Sequence, residues 1–149
     1  MDTTFEEKIY STFSSVAASM GYSEVHGRII SALIVAGKSM SMDDLVKVTK
    51  YSSASISLSL DLLEILGIVK KFRQKGDRKI YVRLEGDLIE GVRNAMLLKL
   101  RKEIAQTLSE FESMKTDDSS KKSIKAIEKE VKRLQEYIDR LSEVPLPKR

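Results

Sequence analysis

The densest chemistry in this 149-residue sequence lies between Gly67 and Glu85. Seven basic side chains (Lys70, Lys71, Arg73, Lys75, Arg78, Lys79 and Arg83) stand there against Asp77 and Glu85, a surplus of five positive charges in a chain whose net charge is +4. Elsewhere the balance is flat: residues 1–40 come to −1, 41–66 to −2 and 86–149 to +2. Lysine and arginine at this density recognise anions. The polyanion that best rewards such a stretch is a nucleic-acid backbone, where phosphate contacts supply affinity without sequence information. Lys70, Lys71, Arg73, Lys75 and Lys79 are therefore candidate phosphate contacts. Arg78, in Gly76-Asp77-Arg78, has a further use. Its planar, permanently charged guanidinium suits a narrow, electronegative minor groove, and Asp77 is placed to hold the arginine or the turn.

A second group is the serine run Ser52-Ser53-Ala54-Ser55-Ile56-Ser57, preceded by Lys50. Ser53, Ser55 and Ser57 offer hydroxyls at the start of an apolar-periodic stretch, where hydroxyls and helix N-termini bind phosphate well and bases weakly. Ala54 can touch a thymine methyl. Between residues 53 and 66 there is no Arg, Asn or Gln to make a bidentate base contact. Asp61 would repel phosphate if it faced DNA.

Other chemistries find few residues. The chain has no cysteine and one histidine, His26, so disulfides, thiolate sites and histidine clusters are excluded. His26 is expected to pack or cap near its own helix. Walker A, Rossmann-type glycine and HExxH patterns are absent. Asp43/Asp44 and Asp117/Asp118 are adjacent carboxylates, but at a helix start and in a loop, where capping accounts for them. The expectation is a protein that is not an enzyme and carries no cofactor or metal. Apolar runs are a few residues long, far below the roughly 20 that a membrane span needs. The N-terminus, Met1 to Glu7, is acidic where a signal peptide would be basic, which predicts a cytoplasmic protein with no membrane partner.

The elements that must carry the basic stretch follow from periodicity. Phe5, Ile9, Phe13, Val16 and Met20 mark one face of a first helix, stopped at Gly21. A second helix spans about Glu24 to Ala36 and ends at Gly37. Ser41 opens a short third helix with Asp44 as its capping-box partner. Lys50-Tyr51-Ser52-Ser53 is a polar turn, and Ser52 or Ser53 caps a helix closed by Gly67. The period then changes. Residues 68–73 and 79–84 are two short runs rich in β-branched and aromatic types around a turn-rich connection, a β-hairpin. A short helix, a tight turn, a longer helix and a hairpin make a winged helix-turn-helix. Hairpins on many soluble proteins carry lysines merely to stay hydrated. The position of this one, directly after a helix-turn-helix, is what points to DNA.

The stretch from Gly21 through Tyr81 resembles the MarR-type winged-helix regulators, most closely the GbsR-like branch. The residues that carry the resemblance are Gly27-Arg28-Ile29, Met40-Ser41-Met42-Asp43-Asp44-Leu45, Ser52 to Leu60, Leu63-Glu64, Gly67-Ile68-Val69, Lys75-Gly76-Asp77-Arg78-Lys79 and Tyr81. It implies a dimeric transcriptional regulator, usually a repressor, with Ser53, Ser55 and Ser57 facing the major groove and Arg78 on the wing. It also implies an unidentified small-molecule effector between dimer helices and winged domain, although no aromatic cage or charge cluster marks such a site.

The flanking helices need burial of their own. Leu88 to Phe111 is apolar every third or fourth residue, and Ile124, Ile127, Val131, Leu134, Ile138 and Leu141 form an unbroken heptad stripe. With Phe5, Ile9 and Phe13 of the first helix, they predict a twofold homodimer. Such a dimer spaces its recognition helices about 34 Å apart on a near-palindromic site. Alternatively, or as well, residues 88–115 pack against 121–142 as an intrachain helical hairpin. The expected fold is mainly α with a small β-hairpin, a winged helix-turn-helix with N- and C-terminal dimerisation helices. Its divisions are a dimerisation helix at 1–22, the winged domain at 23–85 and a helical region at 86–149. The expected function is sequence-preferring binding of double-stranded DNA by a homodimeric regulator, with recognition helix 52–66 in the major groove and wing 68–84 on minor groove and backbone. A protein-interaction winged helix with a coiled-coil arm, and a non-specific architectural DNA binder, fit the same residues.

Overall fold

A computed structural model describes residues 2–149. Six helices and three short strands follow in the order α1 (Thr3–Ser19), α2 (Glu24–Ala36), β1 (Met40–Ser41), α3 (Met42–Thr49), α4 (Ser53–Ile65), β2 (Val69–Arg73), β3 (Ile80–Leu84), α5 (Leu88–Ser113) and α6 (Asp118–Leu141). Two compact units divide the chain inside α5, one ending at Gly91 and the other spanning Val92–Arg149.

Local chemistry sets the boundaries in the first unit. Ser23 caps α2 through a hydrogen bond from the Val25 N–H, and Gly37 ends the helix in the left-handed region at φ 64°. The Ser41 hydroxyl accepts from the Asp44 N–H at 3.0 Å while the Asp44 carboxylate accepts from the Ser41 N–H at 3.3 Å, the reciprocal box expected from sequence. Ser52, not Ser53, caps α4, accepting from the Ser55 N–H at 3.1 Å. Three residues, Lys50 to Ser52, thus join α3 to α4, the spacing of a helix-turn-helix. The core of this unit is made by Ile29 of α2, Leu45 of α3, Ile56, Leu60 and Leu63 of α4, and Val82 of β3, all fully buried.

The hairpin β2–β3 pairs Val69 with Leu84 through Arg73 with Ile80. A third strand that the sequence does not announce, β1, adds to β3 through Met40↔Val82 and Ser41↔Tyr81, giving the sheet order β1-β3-β2. Its two residues are too few to show an alternating pattern. They anchor the root of the wing directly to the start of α3, because Ser41 is both strand residue and N-cap.

Helix α1 meets α2 through small residues beside its apolar stripe. The side chains it buries are the small ones, Ser14 and Ala17, while Phe5 and Val16 are exposed and Ile9, Phe13 and Met20 are half-buried. The cause lies in α2. A β-carbon at Gly27 would fall on the backbone of Phe13 and Ser14, so the two helices approach at a contact only glycine permits. The Ser31 hydroxyl reaches back to the Gly27 carbonyl at 2.7 Å and across to the Ile9 carbonyl at 3.4 Å. His26 sits as expected at the start of α2, its Nδ1 3.1 Å from the Ser23 carbonyl and its ring edge-on to Tyr22.

In the second unit, α5 and α6 form the intrachain hairpin. Leu97 and Ile104 of α5 enclose Ile138 of α6, with Leu108 and Val131 packed alongside. Arg101 pairs with Asp139 at 3.3 Å and Lys115 with Glu128 at 3.0 Å, fixing an antiparallel register. Asp117 caps α6 in a capping box with Ser120.

Candidate nucleic-acid interface

Helix α4, the second helix of the helix-turn-helix, has a definite inside and outside. Ile56, Ser59, Leu60 and Leu63 are buried; on the opposite side Ala54, Leu58, Asp61 and Ile65 form an exposed ridge. Of the sequence-predicted serines, Ser53 and Ser57 are exposed on its flanks. Ser55 is half-buried, with its hydroxyl 3.0 Å from that of Ser52, so it serves the cap of its own helix. Leu58, absent from the residues singled out by sequence, stands at the centre of the ridge. A leucine in an apolar-rich helix gives no sequence signal for the outside; only the positions of Ile56, Leu60 and Leu63 assign it there.

Lys71 is not free for phosphate. Its ammonium is 2.5 Å from the Asp61 carboxylate and 4.0 Å from Glu64, and its backbone N–H donates to Glu64 at 2.8 Å. The pairing with Asp61 raises the lysine pKa above its ordinary value. Strand β2 is thereby tied to the recognition helix by a charge pair and a main-chain bond. The expected repulsion of phosphate by Asp61 is met by a cation of the wing itself.

At the wing tip the Asp77 carboxylate accepts from the Lys79 N–H at 2.9 Å and from the Tyr81 hydroxyl at 2.7 Å. Both bonds favour the ionised carboxylate, so the Asp77 pKa lies below its usual value, while the same contact holds that of Tyr81 above its own. Asp77 thus fixes the turn rather than the arginine side chain. Gly76 takes φ 79°, which an L side chain rarely adopts. Arg78 is exposed beside it.

The remaining cations differ in freedom. Lys70, Arg73, Lys75 and Lys79 are exposed. Arg73 lends one guanidinium N–H to the Arg78 carbonyl at 3.4 Å, and Arg83 lies over the Phe72 ring and pairs with Glu85. Lys70 stands directly across the ladder from Arg83, a like-charge pair that costs stability unless a counter-charge takes it up. Lys50 ends α3 in the left-handed region at φ 61°, its N–H bonded to the Val46 carbonyl. The structure also gathers Ser53, Arg78 and Lys79 on one open cleft of about 270 Å³ with Ser41, Met42, Asp43 and Ile80. Recognition-helix start and wing tip therefore share a rim, which sequence distance hides.

The heptad of α6 is split by its packing. Ile124 and Ile138 are buried and Val131 half-buried, whereas Ile127, Leu134 and Leu141 remain exposed. Of the six dimer residues expected on α6, three are thus buried or half-buried within the chain. No group of His, Cys, Asp or Glu among the described residues is placed to hold a metal ion, and no helix is long and apolar enough to cross a membrane.

Helix-turn-helix, three-stranded wing and flanking helices define a winged helix-turn-helix fold. No protein-family model matches the sequence, and no curated protein matches it significantly. Solved structures do. A chain described as a transcriptional regulator superposes with a TM-score of 0.62 at 16% identity, over 93% of this chain and 95% of that one. A mutant of MepR from S. aureus, bound to an oligodeoxyribonucleotide, gives 0.47 at 16% identity over 89% of this chain and 94% of that one. NadR in complex with 4-hydroxyphenylacetate gives 0.46 at 18% identity, over 95% and 89%. At these identities the first likeness establishes the shared fold.

Proposed function

We propose that the chain is a MarR-type transcriptional regulator of the GbsR-like branch, a cytoplasmic repressor that binds double-stranded DNA as a homodimer at near-palindromic sites and performs no catalytic step. Helix α4 enters the major groove and the wing lies on the adjoining minor groove and backbone. The observation that carries this reading is the shared rim of Ser53, Arg78 and Lys79, backed by exposed Lys70, Arg73 and Lys75. A helix start and a cationic tip held together by a braced wing fit a phosphate backbone followed into its groove. A small-molecule effector acting on the dimer belongs to the same reading.

The test is selection of bound duplexes from a random-sequence pool, followed by titration at about 100 mM salt. Enrichment of a two-part site with half-sites one helical turn apart is expected. Arg78→Ala should weaken binding roughly tenfold, because a planar cation in the groove cannot be replaced by neighbouring lysines. Absence of any duplex binding removes the proposal. The lack of Arg, Lys, Asn and Gln on α4 favours one second reading, non-specific architectural binding, and equal affinity for every duplex would select it. Capture of an acidic protein partner without DNA binding would instead select the protein-interaction reading.

A further inference from the structure

Ile65 and Leu58 are the most exposed large apolar side chains among the described residues, at 78% and 73%. Both sit on the outer ridge of α4, with Ala54 four residues before Leu58. Leaving a leucine in water forgoes the burial that ordinarily stabilises it. Its presence on the outermost line of a recognition helix therefore calls for a partner surface with an apolar feature at that depth. Ile65 lies about 10 Å further along the axis, in the last turn, away from the N-terminal half that enters a groove. Ala54 and Leu58 are in that half.

We infer that Leu58, with Ala54 beside it, is the specificity-determining contact of the recognition helix, and that it reads the C5-methyl groups of thymine. The inference rests on the DNA-binding reading above. The base edges in the major groove present donors and acceptors with one apolar exception, the thymine methyl, and apolar side chains are its natural partners. Along the ridge no competing reader exists. Asp61 is held by Lys71, and the neighbouring Ser53 and Ser57 hydroxyls accept or donate to any base. Ala54 and Leu58 are separated by about 6 Å of helix rise, close to two base steps at 3.4 Å each, so methyls two base pairs apart on a thymine-rich half-site fit both. Charge selects nucleic acid over protein as the occupant. The ridge shares its unit with exposed Lys70, Arg73, Lys75, Arg78 and Lys79, and the helix itself brings no cation to steer a partner.

The experiment uses the full-length protein and duplexes recovered from the random pool, resynthesised with deoxyuridine at each enriched thymine in turn. Uracil differs from thymine only by the missing methyl. At one or two positions per half-site, uracil should weaken binding about three- to fivefold, and 5-methylcytosine should be favoured over cytosine at those same positions. Leu58→Ala should lose the thymine–uracil difference at the position Leu58 reads and keep it at the position Ala54 reads, whereas Leu58→Met, which keeps the apolar reach, should retain the difference at both. Wild-type protein that binds DNA but treats thymine and uracil alike at every position overturns this inference and leaves the regulator reading standing. Retention of full discrimination by Leu58→Ala overturns it too. Failure to bind any duplex removes both.

Discussion

Two side-chain pairs decide what the wing can do. Lys71 and Asp61 neutralise each other at the junction of recognition helix and hairpin. Under the proposed DNA-binding function, removing the lysine alone would leave a carboxylate facing the polyanion, whereas removing both charges would leave nothing to repel. In a binding titration, Lys71→Met should therefore lose roughly tenfold in DNA affinity, and Asp61→Asn/Lys71→Met should recover most of that loss. If Lys71 were an ordinary phosphate contact, the double variant would bind no better than the single one. The second pair is Asp77 with Tyr81. A depressed carboxylate pKa contributes stability that is present above the ordinary Asp value and lost as pH falls through the depressed one. A raised phenol pKa contributes stability present below the ordinary Tyr value and lost as pH rises through the raised one. The wing tip is then most ordered on the plateau between. Amide protection of the tip, followed by hydrogen exchange, should decline at both ends for the native chain. In Tyr81→Phe the alkaline decline should vanish, while the acidic decline persists in part because the Lys79 N–H still bonds Asp77.

At the scale of elements, whatever repeats or caps was legible in the sequence, and whatever depends on a distant partner was not. Ser41 with Asp44 and the change of period at Ile68 place α3 and the hairpin directly, because both signals lie within a few residues. Strand β1 escapes notice because Met40 and Ser41 become a strand only through Val82 and Tyr81, some 40 residues on. For the same reason Lys71 reads as one of many surface lysines, although its partner Asp61 is a turn of helix and a strand away. On α1 the buried positions are set sterically: Gly27 admits the neighbouring helix so closely that the small Ser14 and Ala17 are buried, while Phe5 and Val16 of the stripe stay exposed. That contact has a measurable consequence. Gly27→Ala places a methyl group on the Phe13–Ser14 backbone, which cannot move aside as a side chain can. A loss of about 1–3 kcal/mol is expected from overpacking, read as a lowered thermal midpoint. An unchanged midpoint would show that the two helices separate at little cost.

For the whole molecule, the question is how a single winged domain gains the affinity and symmetry that the proposed site requires. One domain contacts one half-site, and pairing two of them converts the second contact into an intramolecular event. The heptad of α6 supplies the means. Of its alternate members, Val131 and Ile138 pack with α5 in the helical hairpin and Ile124 is buried. Ile127, Leu134 and Leu141, on the neighbouring line of the same helix, form an exposed apolar row, and Ile127 and Leu134 line an open groove with Ala126, Glu130 and Val131. Under the proposed homodimer, the line left exposed on each α6 is the surface that would meet the matching line of a second copy. The native chain should therefore sediment as a dimer, and Ile127→Glu/Leu134→Glu as a monomer with its helical circular dichroism retained, since both positions are exposed. On DNA the monomeric variant should bind a single half-site about as well as the native chain does, and lose roughly a hundredfold or more on the two-part site. A variant that remains dimeric would move the interface elsewhere, to the exposed Phe5 and Val16 of α1. A native chain that sediments as a monomer at every concentration would leave the spacing of a two-part site without a physical cause.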